Sequence, residues 1–220
     1  MAKDILTARQ KKFLSLLSKN KPVSKSFYLT GGTALAAYYL KHRYSEDLDF
    51  FSENEIEILS INVFLKEIKS AIGIKEIDFQ QSFNRNLFFL HTKSENLKVE
   101  FTYFPFHQIE SPDKKDGVYI NSLTDIAVDK AFTIAQNPRA RDFIDLYYIL
   151  KTNKNISFER LIKMARAKFD WHIDPIQLGT QLLKAKNIKD LPRMIKKLNH
   201  QDWRDFFVTK AKSLSDNIFK

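Results

Sequence analysis

Two aspartates separated by one residue are the side chains of this sequence best suited to metal chemistry. Asp47 and Asp49 flank Leu48, and the chain continues with Phe50 and Phe51, which is typical of a strand. Residues two apart on a strand project from the same face, so both carboxylates are expected together. Two neighbouring carboxylates repel each other unless a cation lies between them, and Mg²⁺ prefers carboxylate oxygens completed by substrate phosphates. The pair therefore predicts a metal site that handles a phosphorylated substrate.

A glycine turn upstream of the aspartates is a second feature that could take part in chemistry. Gly31 and Gly32 interrupt a short strand-like run, and Thr33 is a good N-cap for a helix predicted at residues 34–40. That helix is expected to end at the basic residues 41–43, which suit the negative end of its dipole. The free N–H groups at its start suit a phosphate. A phosphate cradle beside metal-binding carboxylates predicts phosphoryl or nucleotidyl transfer.

The apolar pattern predicts that a small mixed sheet positions these motifs. Strands are predicted on either side of the glycine turn. One is Phe27–Leu29, and the other is the segment that contains Asp49. A helix is predicted over residues 4–19, and a second helix is ended by Gly73. Further strands rich in Phe, Ile, Leu and Val are predicted at residues 74–83, 86–92 and 97–104. The predicted fold class is therefore α/β (α+β), with helices flanking the sheet.

A change in pattern near residue 121 predicts a domain boundary. Before it the elements alternate between helix and strand, whereas after about residue 123 the spacing of apolar residues is helical throughout. We therefore expect a mixed α/β core at residues 1–121 and an all-helical domain at residues 122–220. After the first two helices of the second domain, helices are predicted at residues 158–169, 175–186, 191–198 and 203–218.

Those first two helices carry charged residues that allow two readings. Lys130 lies between Ile126 and Ile134 on one helical row, so its ammonium either reaches outward to solvent or enters a polar site. Asp142 and Asp145 lie at the start of the next helix, where acids suit the dipole. Without further information these aspartates read as a surface salt-bridge set.

The fuller sequence around the aspartates resembles a known family. Gly31-Gly32-Thr33, His42-Arg43, Ser45 and Asp47-Leu48-Asp49-Phe50-Phe51 are similar to the first motif of the AbiEii/AbiGii toxins. These toxins belong to the DNA polymerase β-like nucleotidyltransferase superfamily, whose signature is a Gly-Gly or Gly-Ser turn followed by Asp-x-Asp. Lys130 with the string Arg-x-Arg-Asp-Phe-x-Asp-Leu-Tyr from Arg139 resembles the second hallmark. The resemblance extends from about Phe27 to about Leu150.

The resemblance implies a set of site residues. Asp47 and Asp49 are then the metal ligands and catalytic acids, with Gly31, Gly32 and Thr33 against the nucleotide. Lysine and aspartate residues of the two helices line the nucleotide cleft in the family, which assigns nucleotide binding to Lys130, Asp142 and Asp145.

Superfamily members commonly place a third acid on a neighbouring strand. Glu100 alternates with Val99 and Phe101, so it fits that position, although the third acid is often aspartate. The other reading of Glu100 is a solvated charge beside Lys98, and Asp78 is a weaker rival for the third acid.

The resemblance also implies an activity and its partners. The expected reaction is Mg²⁺- or Mn²⁺-dependent transfer of a nucleotide from a nucleoside triphosphate to RNA, with tRNA as the leading acceptor. The protein is expected to be the toxin of an abortive-infection pair that acts in phage defence, with a separately encoded antitoxin. Transfer to a small hydroxylated molecule, as in antibiotic nucleotidyltransferases, is an alternative, and a non-catalytic basic RNA-binding protein is another.

Composition narrows the class of protein. The 220 residues carry 36 basic and 26 acidic side chains, and the resulting net charge of +10 favours a polyanionic partner such as RNA or a nucleotide. The absence of cysteine excludes disulfides and thiolate metal sites. The sequence contains no apolar run of the roughly 18–20 residues that a membrane span needs and no secretory leader, so a cytoplasmic protein is expected.

Overall fold

In the computed structural model of the chain, residues 4–172 and 174–218 are described, and they cluster into two compact units. The first unit takes in the described residues up to Tyr39 together with Ser45–Ser122. The second takes in Leu40–Tyr44 and the described residues from Leu123 onward. The segment Leu40–Tyr44 therefore belongs to a different unit from the chain on either side of it.

A sheet organises the first unit. Within the described residues it has seven strands, which are β1 (Tyr28–Thr30), β2 (Leu48–Ser52), β3 (Ile74–Ser82), β4 (Arg85–Thr92), β5 (Asn96–Tyr103), β6 (Asp113–Lys115) and β7 (Val118–Ile120). Their order across the sheet is β3-β4-β5-β2-β1-β7-β6. The β2–β5 and β1–β7 pairs are parallel, and the remaining neighbours are antiparallel. Strand β2, which carries Asp49, therefore lies in the middle of the sheet.

Helices of the first unit are set by local signals in the sequence. They are α1 (Ala8–Leu17), α2 (Lys21–Ser26), α3 (Gly31–Ala34) and α4 (Ile58–Ile72). Helix α1 starts at a capping box in which Thr7 and Gln10 bond each other's backbone N–H groups. Helix α4 ends at Gly73, whose φ of 77° is the left-handed conformation that glycine adopts at little cost.

Alternation along the central strands separates an apolar face of the sheet from a polar one. Leu48 and Phe50 are fully buried, whereas Asp49 between them is only half-buried. The Phe50 ring stacks on Phe101 of β5 at 5.2 Å and lies 6.2 Å from Phe13 of α1. The apolar face thus holds the core of this unit, and Asp49 is left on the opposite face.

The second unit is helical. Its helices, among the described residues, are α5 (Leu123–Gln136), α6 (Ala140–Thr152), α7 (Phe158–Phe169), α8 (Pro175–Leu183) and α9 (His200–Ile218). Trp203 and Phe207 of α9 are fully buried against Phe143 of α6, with ring centroids 6.0 Å and 4.9 Å apart. None of the described helices is both long and apolar enough to cross a membrane.

The structure confirms the predicted α/β class and the three long strands, and it differs from the sequence-based expectations at two places. The short hairpin of β6 and β7 was not predicted, because strands of three residues leave almost no alternation to detect. The helix expected at residues 191–198 is wrong. Pro192 lacks an N–H group, and the N–H groups of Ile195 and Lys196 both donate to the carbonyl of His42. Residues 191–198 therefore form hydrogen bonds with the segment Leu40–Tyr44 instead of forming a helix.

Candidate active site

The glycine turn is the first part of the candidate site, and it begins its helix earlier than predicted. The helix starts at Gly31, with Thr30 in the cap position, and continues after α3 as a π-helical segment over Leu35–Leu40. Thr33 is therefore inside the first turn and does not cap it. Its hydroxyl donates instead to the backbone carbonyl of Asp47. The first helical turn thus holds the chain at the start of the acidic motif.

Gly31 is in close contact with the second aspartate. Its φ is 69°, in the left-handed region, and a Cβ built on it would lie 2.6 Å from Oδ2 of Asp49. Thr30 of β1 is the register partner of Asp49 on β2, which places the turn directly beside the carboxylate. Only a residue without a side chain fits here. The turn and both aspartates are therefore one continuous local structure.

We predict that Gly31→Ala damages the site far more than the fold. The new methyl group would push the Asp49 carboxylate aside, and a displacement of about 1 Å can cost roughly 100-fold in rate. Gly73→Ala is the matched control, since Gly73 also has a positive φ of 77° but nothing within 4 Å of the added Cβ. Both variants should lose about 1–2 kcal/mol of unfolding free energy in urea titrations. Equal catalytic rates in the two variants would contradict the contact between Gly31 and Asp49.

The two aspartates lie at the start of β2, the central strand of the sheet. Asp49 is within β2 and pairs in register with Glu100 of the parallel strand β5. Asp47 immediately precedes β2, its side chain is 32% exposed, and its Oδ2 accepts a hydrogen bond from Lys98 Nζ at 3.1 Å. Both acids therefore remain accessible to a ligand from solvent.

Glu100 occupies the predicted third position but is bound by an arginine. Both of its carboxylate oxygens accept hydrogen bonds from Arg85, each at 2.7 Å, and Oε1 also accepts from Thr102 at 2.8 Å. Burial alone would raise the pKa of Glu100, but the bonds from Arg85 and Thr102 outweigh it and lower that pKa. Glu100 is therefore ionised at neutral pH and engaged on both oxygens. The rival Asp78 pairs with His91 at the edge of the sheet.

A divalent metal fits the donor set at this site. Asp47 and Asp49 offer hard carboxylate oxygens, and the absence of a side chain on Gly31 lets the Asp49 carboxylate lie directly against the glycine turn. In the described part of the chain, no group of three or more His, Cys, Asp or Glu residues could hold a metal ion. Mg²⁺ commonly binds through one or two carboxylates and completes its coordination with water and substrate phosphates. The two aspartates therefore provide carboxylate oxygens of the kind that Mg²⁺ or Mn²⁺ binds.

The second unit contains the other predicted site residues in a buried charge network. Lys130 is 8% exposed, and its Nζ lies 2.7 Å from Asp142 Oδ1 and 2.9 Å from Asp145 Oδ2. Asp142 also accepts from the backbone and side-chain N–H groups of Arg139 at the start of α6. The ammonium of Lys130 therefore enters a polar site inside this unit and does not reach out to solvent.

Asp145 is the centre of that network, contrary to the surface position that its residue pattern suggests. It is fully buried, and Arg43 binds both of its oxygens at 2.6 Å and 2.8 Å. His42 contributes a further hydrogen bond at 2.8 Å. Burial would raise the pKa of Asp145, but Lys130 and Arg43 outweigh it and hold that pKa well below its usual range.

His42 and Arg43 are the residues whose role the sequence did not reveal. They were expected only to end a helix, yet they are 0% and 3% exposed. Burial lowers the pKa of His42 more than Asp145 raises it, so the ring is neutral at pH 7. Both residues belong to the first motif, but their partner is more than 100 positions away in the sequence. Local spacing could not have identified that partner.

A lysine of the helical unit is also buried. Lys168 of α7 is 2% exposed at its side chain and lies 2.9 Å from both Asp125 and Asp129 of α5. Burial raises the pKa of Asp129 to about 6, although Lys168 opposes the shift. These contacts hold α7 against α5, and Asp129 is the residue next to Lys130 in the chain. Lys168 therefore forms a buried ion-pair set between α5 and α7.

Comparison of the sequence with family models gives a match over nearly the whole chain. Residues 15–216 match the family described as nucleotidyl transferase AbiEii toxin, type IV toxin–antitoxin system. An uncharacterised protein of Aquifex aeolicus (strain VF5) is 30% identical over 155 residues, which are 69% of this chain and 71% of that protein. The resemblance found in the motifs thus extends through both units.

Solved structures that are described as nucleotidyltransferases have similar folds. A putative nucleotidyltransferase from Helicobacter pylori superposes with a TM-score of 0.60 at 20% identity, over 96% of this chain and 97% of that one. MenT4, a nucleotidyltransferase toxin from Mycobacterium tuberculosis H37Rv, superposes with a TM-score of 0.58 at 18% identity. That match covers 94% of this chain and 82% of MenT4. At these identities the likeness is one of fold.

Proposed function

Because the chain belongs to the AbiEii family of nucleotidyltransferase toxins, we propose that it transfers a nucleotide from a nucleoside triphosphate to RNA, with tRNA as the leading acceptor. Nucleotidyl transfer is the activity of the family. The triphosphate donor, the Mg²⁺ or Mn²⁺ requirement and the RNA acceptor are the parts that we propose. We further propose that the toxin acts in the cytoplasm and is neutralised by a separately encoded antitoxin.

One observation carries the proposal: the first helical turn touches both aspartates. Gly31 lies against the Asp49 carboxylate, and Thr33 holds the Asp47 backbone. A bound Mg²⁺ would neutralise phosphate oxygens while an acceptor hydroxyl attacks the α-phosphorus and pyrophosphate leaves. We propose that Asp47 and Asp49 hold that ion, and that Gly31, Gly32 and Thr33 present backbone N–H groups to the phosphates.

Glu100 is proposed as the third acid of the site, with a limited role. Since Arg85 and Thr102 occupy its oxygens, Glu100 is not available to remove a proton from the acceptor while these bonds last. We propose that the Arg85–Glu100 pair instead fixes the charge beside Asp49, to which Arg85 is electrostatically coupled. The attacking hydroxyl then loses its proton to solvent or to a phosphate oxygen.

Basic side chains support RNA as the acceptor. The chain has a net charge of +10, and a polyphosphate backbone is the common partner of such a surface. Between the end of α8 and the start of α9 one acidic residue, Asp190, accompanies a cluster of exposed cations. These cations are Lys184, Lys186, Lys189, Arg193, Lys196 and Lys197. A small-molecule acceptor has no need of this surface.

The test is a labelling reaction. The protein is incubated with each α-³²P-labelled nucleoside triphosphate, Mg²⁺ and total cellular RNA, and the RNA is separated by size. We expect label in a band of tRNA size with one preferred nucleotide, and none when EDTA is added or when Asp47→Asn replaces the wild type. Label in larger RNA only would replace tRNA with another RNA acceptor. No labelled RNA with any nucleotide would overturn the proposal.

A further inference from the structure

A lysine on the polar face of the sheet is paired with one of the proposed metal ligands. Lys98 of β5 has a side chain that is 28% exposed, and its Nζ donates to Oδ2 of Asp47 at 3.1 Å. The charge of Lys98 also lowers the pKa of Glu100, two residues away on the same face. The Lys98 ammonium group therefore occupies one of the two carboxylate oxygens that Asp47 can offer to a metal ion.

The two cations of this site are held very differently. The Arg85 guanidinium grips Glu100 through two hydrogen bonds of 2.7 Å, and the Glu100 side chain is only 6% exposed. Lys98 makes a single, longer bond to a carboxylate that is one-third exposed. A bidentate pair with a buried carboxylate is strong, whereas exposed lysine pairs contribute little and are easily exchanged. Arg85 is thus a fixed part of the site, and Lys98 is a displaceable one.

We propose that Lys98 is a counter-ion that exchanges partners when the substrate binds. Without metal it neutralises Asp47. When a divalent ion takes that carboxylate, the ammonium moves to the phosphates of the incoming nucleoside triphosphate. Lysine suits this exchange because its charge lies at the end of a flexible four-carbon stem with three rotatable donors. This inference rests on the proposed function, since it needs both the metal at Asp47 and a triphosphate.

The exchange predicts two effects of opposite sign in Lys98→Gln. Without nucleotide, Mn²⁺ should bind about two- to fivefold more tightly, because the metal no longer competes with an exposed ion pair. With saturating Mn²⁺, a non-hydrolysable nucleoside triphosphate should bind about ten- to one-hundredfold more weakly, because a hydrogen bond to a charged group is lost. Mn²⁺ binding is measured by electron paramagnetic resonance and nucleotide binding by calorimetry. A residue with a merely structural role would not produce this opposition.

Two controls separate this inference from the function on which it rests. Lys75→Gln removes one exposed positive charge from the same sheet and should change neither affinity. Asp47→Asn should lose most Mn²⁺ binding. If the wild type binds Mn²⁺ through Asp47 but Lys98→Gln binds it no more tightly, the partner exchange is wrong and the proposed function stands. If the wild type binds no Mn²⁺ even with nucleotide, the proposed metal-dependent function fails and the exchange fails with it.

Discussion

Asp49→Asn is expected to reduce nucleotidyl transfer by roughly 10³-fold or more while leaving the unfolding free energy nearly unchanged. Asparagine keeps the shape of the side chain that rests on Gly31 but removes the charge that a divalent ion requires. The side chain is half-buried on the polar face of β2, away from the Phe50 core, so the substitution disturbs little apolar packing. The rate is measured in the labelling reaction and the stability in urea.

Asp78→Asn provides the matched control for this experiment. Asp78 is an exposed aspartate of β3 in the same sheet, where it pairs with His91. Its substitution makes the same chemical change but should leave the rate within about twofold of wild type, as expected for a surface site. Asp47→Asn should behave like Asp49→Asn. Transfer retained by either variant of the acidic pair would exclude the two aspartates as joint metal ligands.

Local patterns in the sequence were enough to predict the sheet and its acidic strand. Burial alternates along β2, where Phe50 is buried and Asp49 is half-buried, as the period of two in the sequence predicts. On β5, Phe101 packs on Phe50, whereas Glu100 pairs in register with Asp49. The left-handed glycine at the end of α4 was equally local, because Gly73 follows a regular helical pattern. Features whose cause lies within a few residues are therefore readable without a structure.

Features that depend on distant partners were not readable. Thr33 has the side chain of an N-cap residue, but it lies inside the first turn, and its hydroxyl donates to the backbone carbonyl of Asp47, just before the next strand. Residues 191–198 have helical spacing, but their N–H groups meet the carbonyl of His42. In both cases a long-range hydrogen bond overrides a local preference. The buried pairing of Arg43 with Asp145 belongs to the same class.

Asp145→Asn is expected to cost about 3–5 kcal/mol of unfolding free energy, the largest stability effect among these predictions. The substitution leaves Arg43 and Lys130 buried, with Asp142 as the remaining acidic partner of Lys130. Asp142→Asn is the matched control and should cost less, because its second partner, Arg139, is half-exposed and can be hydrated instead. Both are measured by urea titration at pH 7.

The pH dependence of that loss tests its electrostatic origin. Since the pKa of Asp145 is held well below its unfolded value, the carboxylate stabilises the fold fully above pH of about 4. Its contribution is lost as the pH falls further, through the lowered pKa. The stability difference between wild type and Asp145→Asn should therefore be constant around neutrality and shrink below that pH. A difference that is unchanged at low pH would mean that packing, and not charge, causes the loss.

The same variant separates two roles for the cluster around Lys130. The family resemblance assigns Lys130, Asp142 and Asp145 to nucleotide binding, whereas their burial and mutual contacts describe an internal brace of the second unit. Nucleotide affinity is therefore measured with Mn²⁺ at a temperature where Asp145→Asn is still folded. If only the unfolding free energy falls, the role of Asp145 is structural. If nucleotide affinity also falls tenfold or more in the folded variant, Asp145 holds Lys130 in the orientation that nucleotide binding needs.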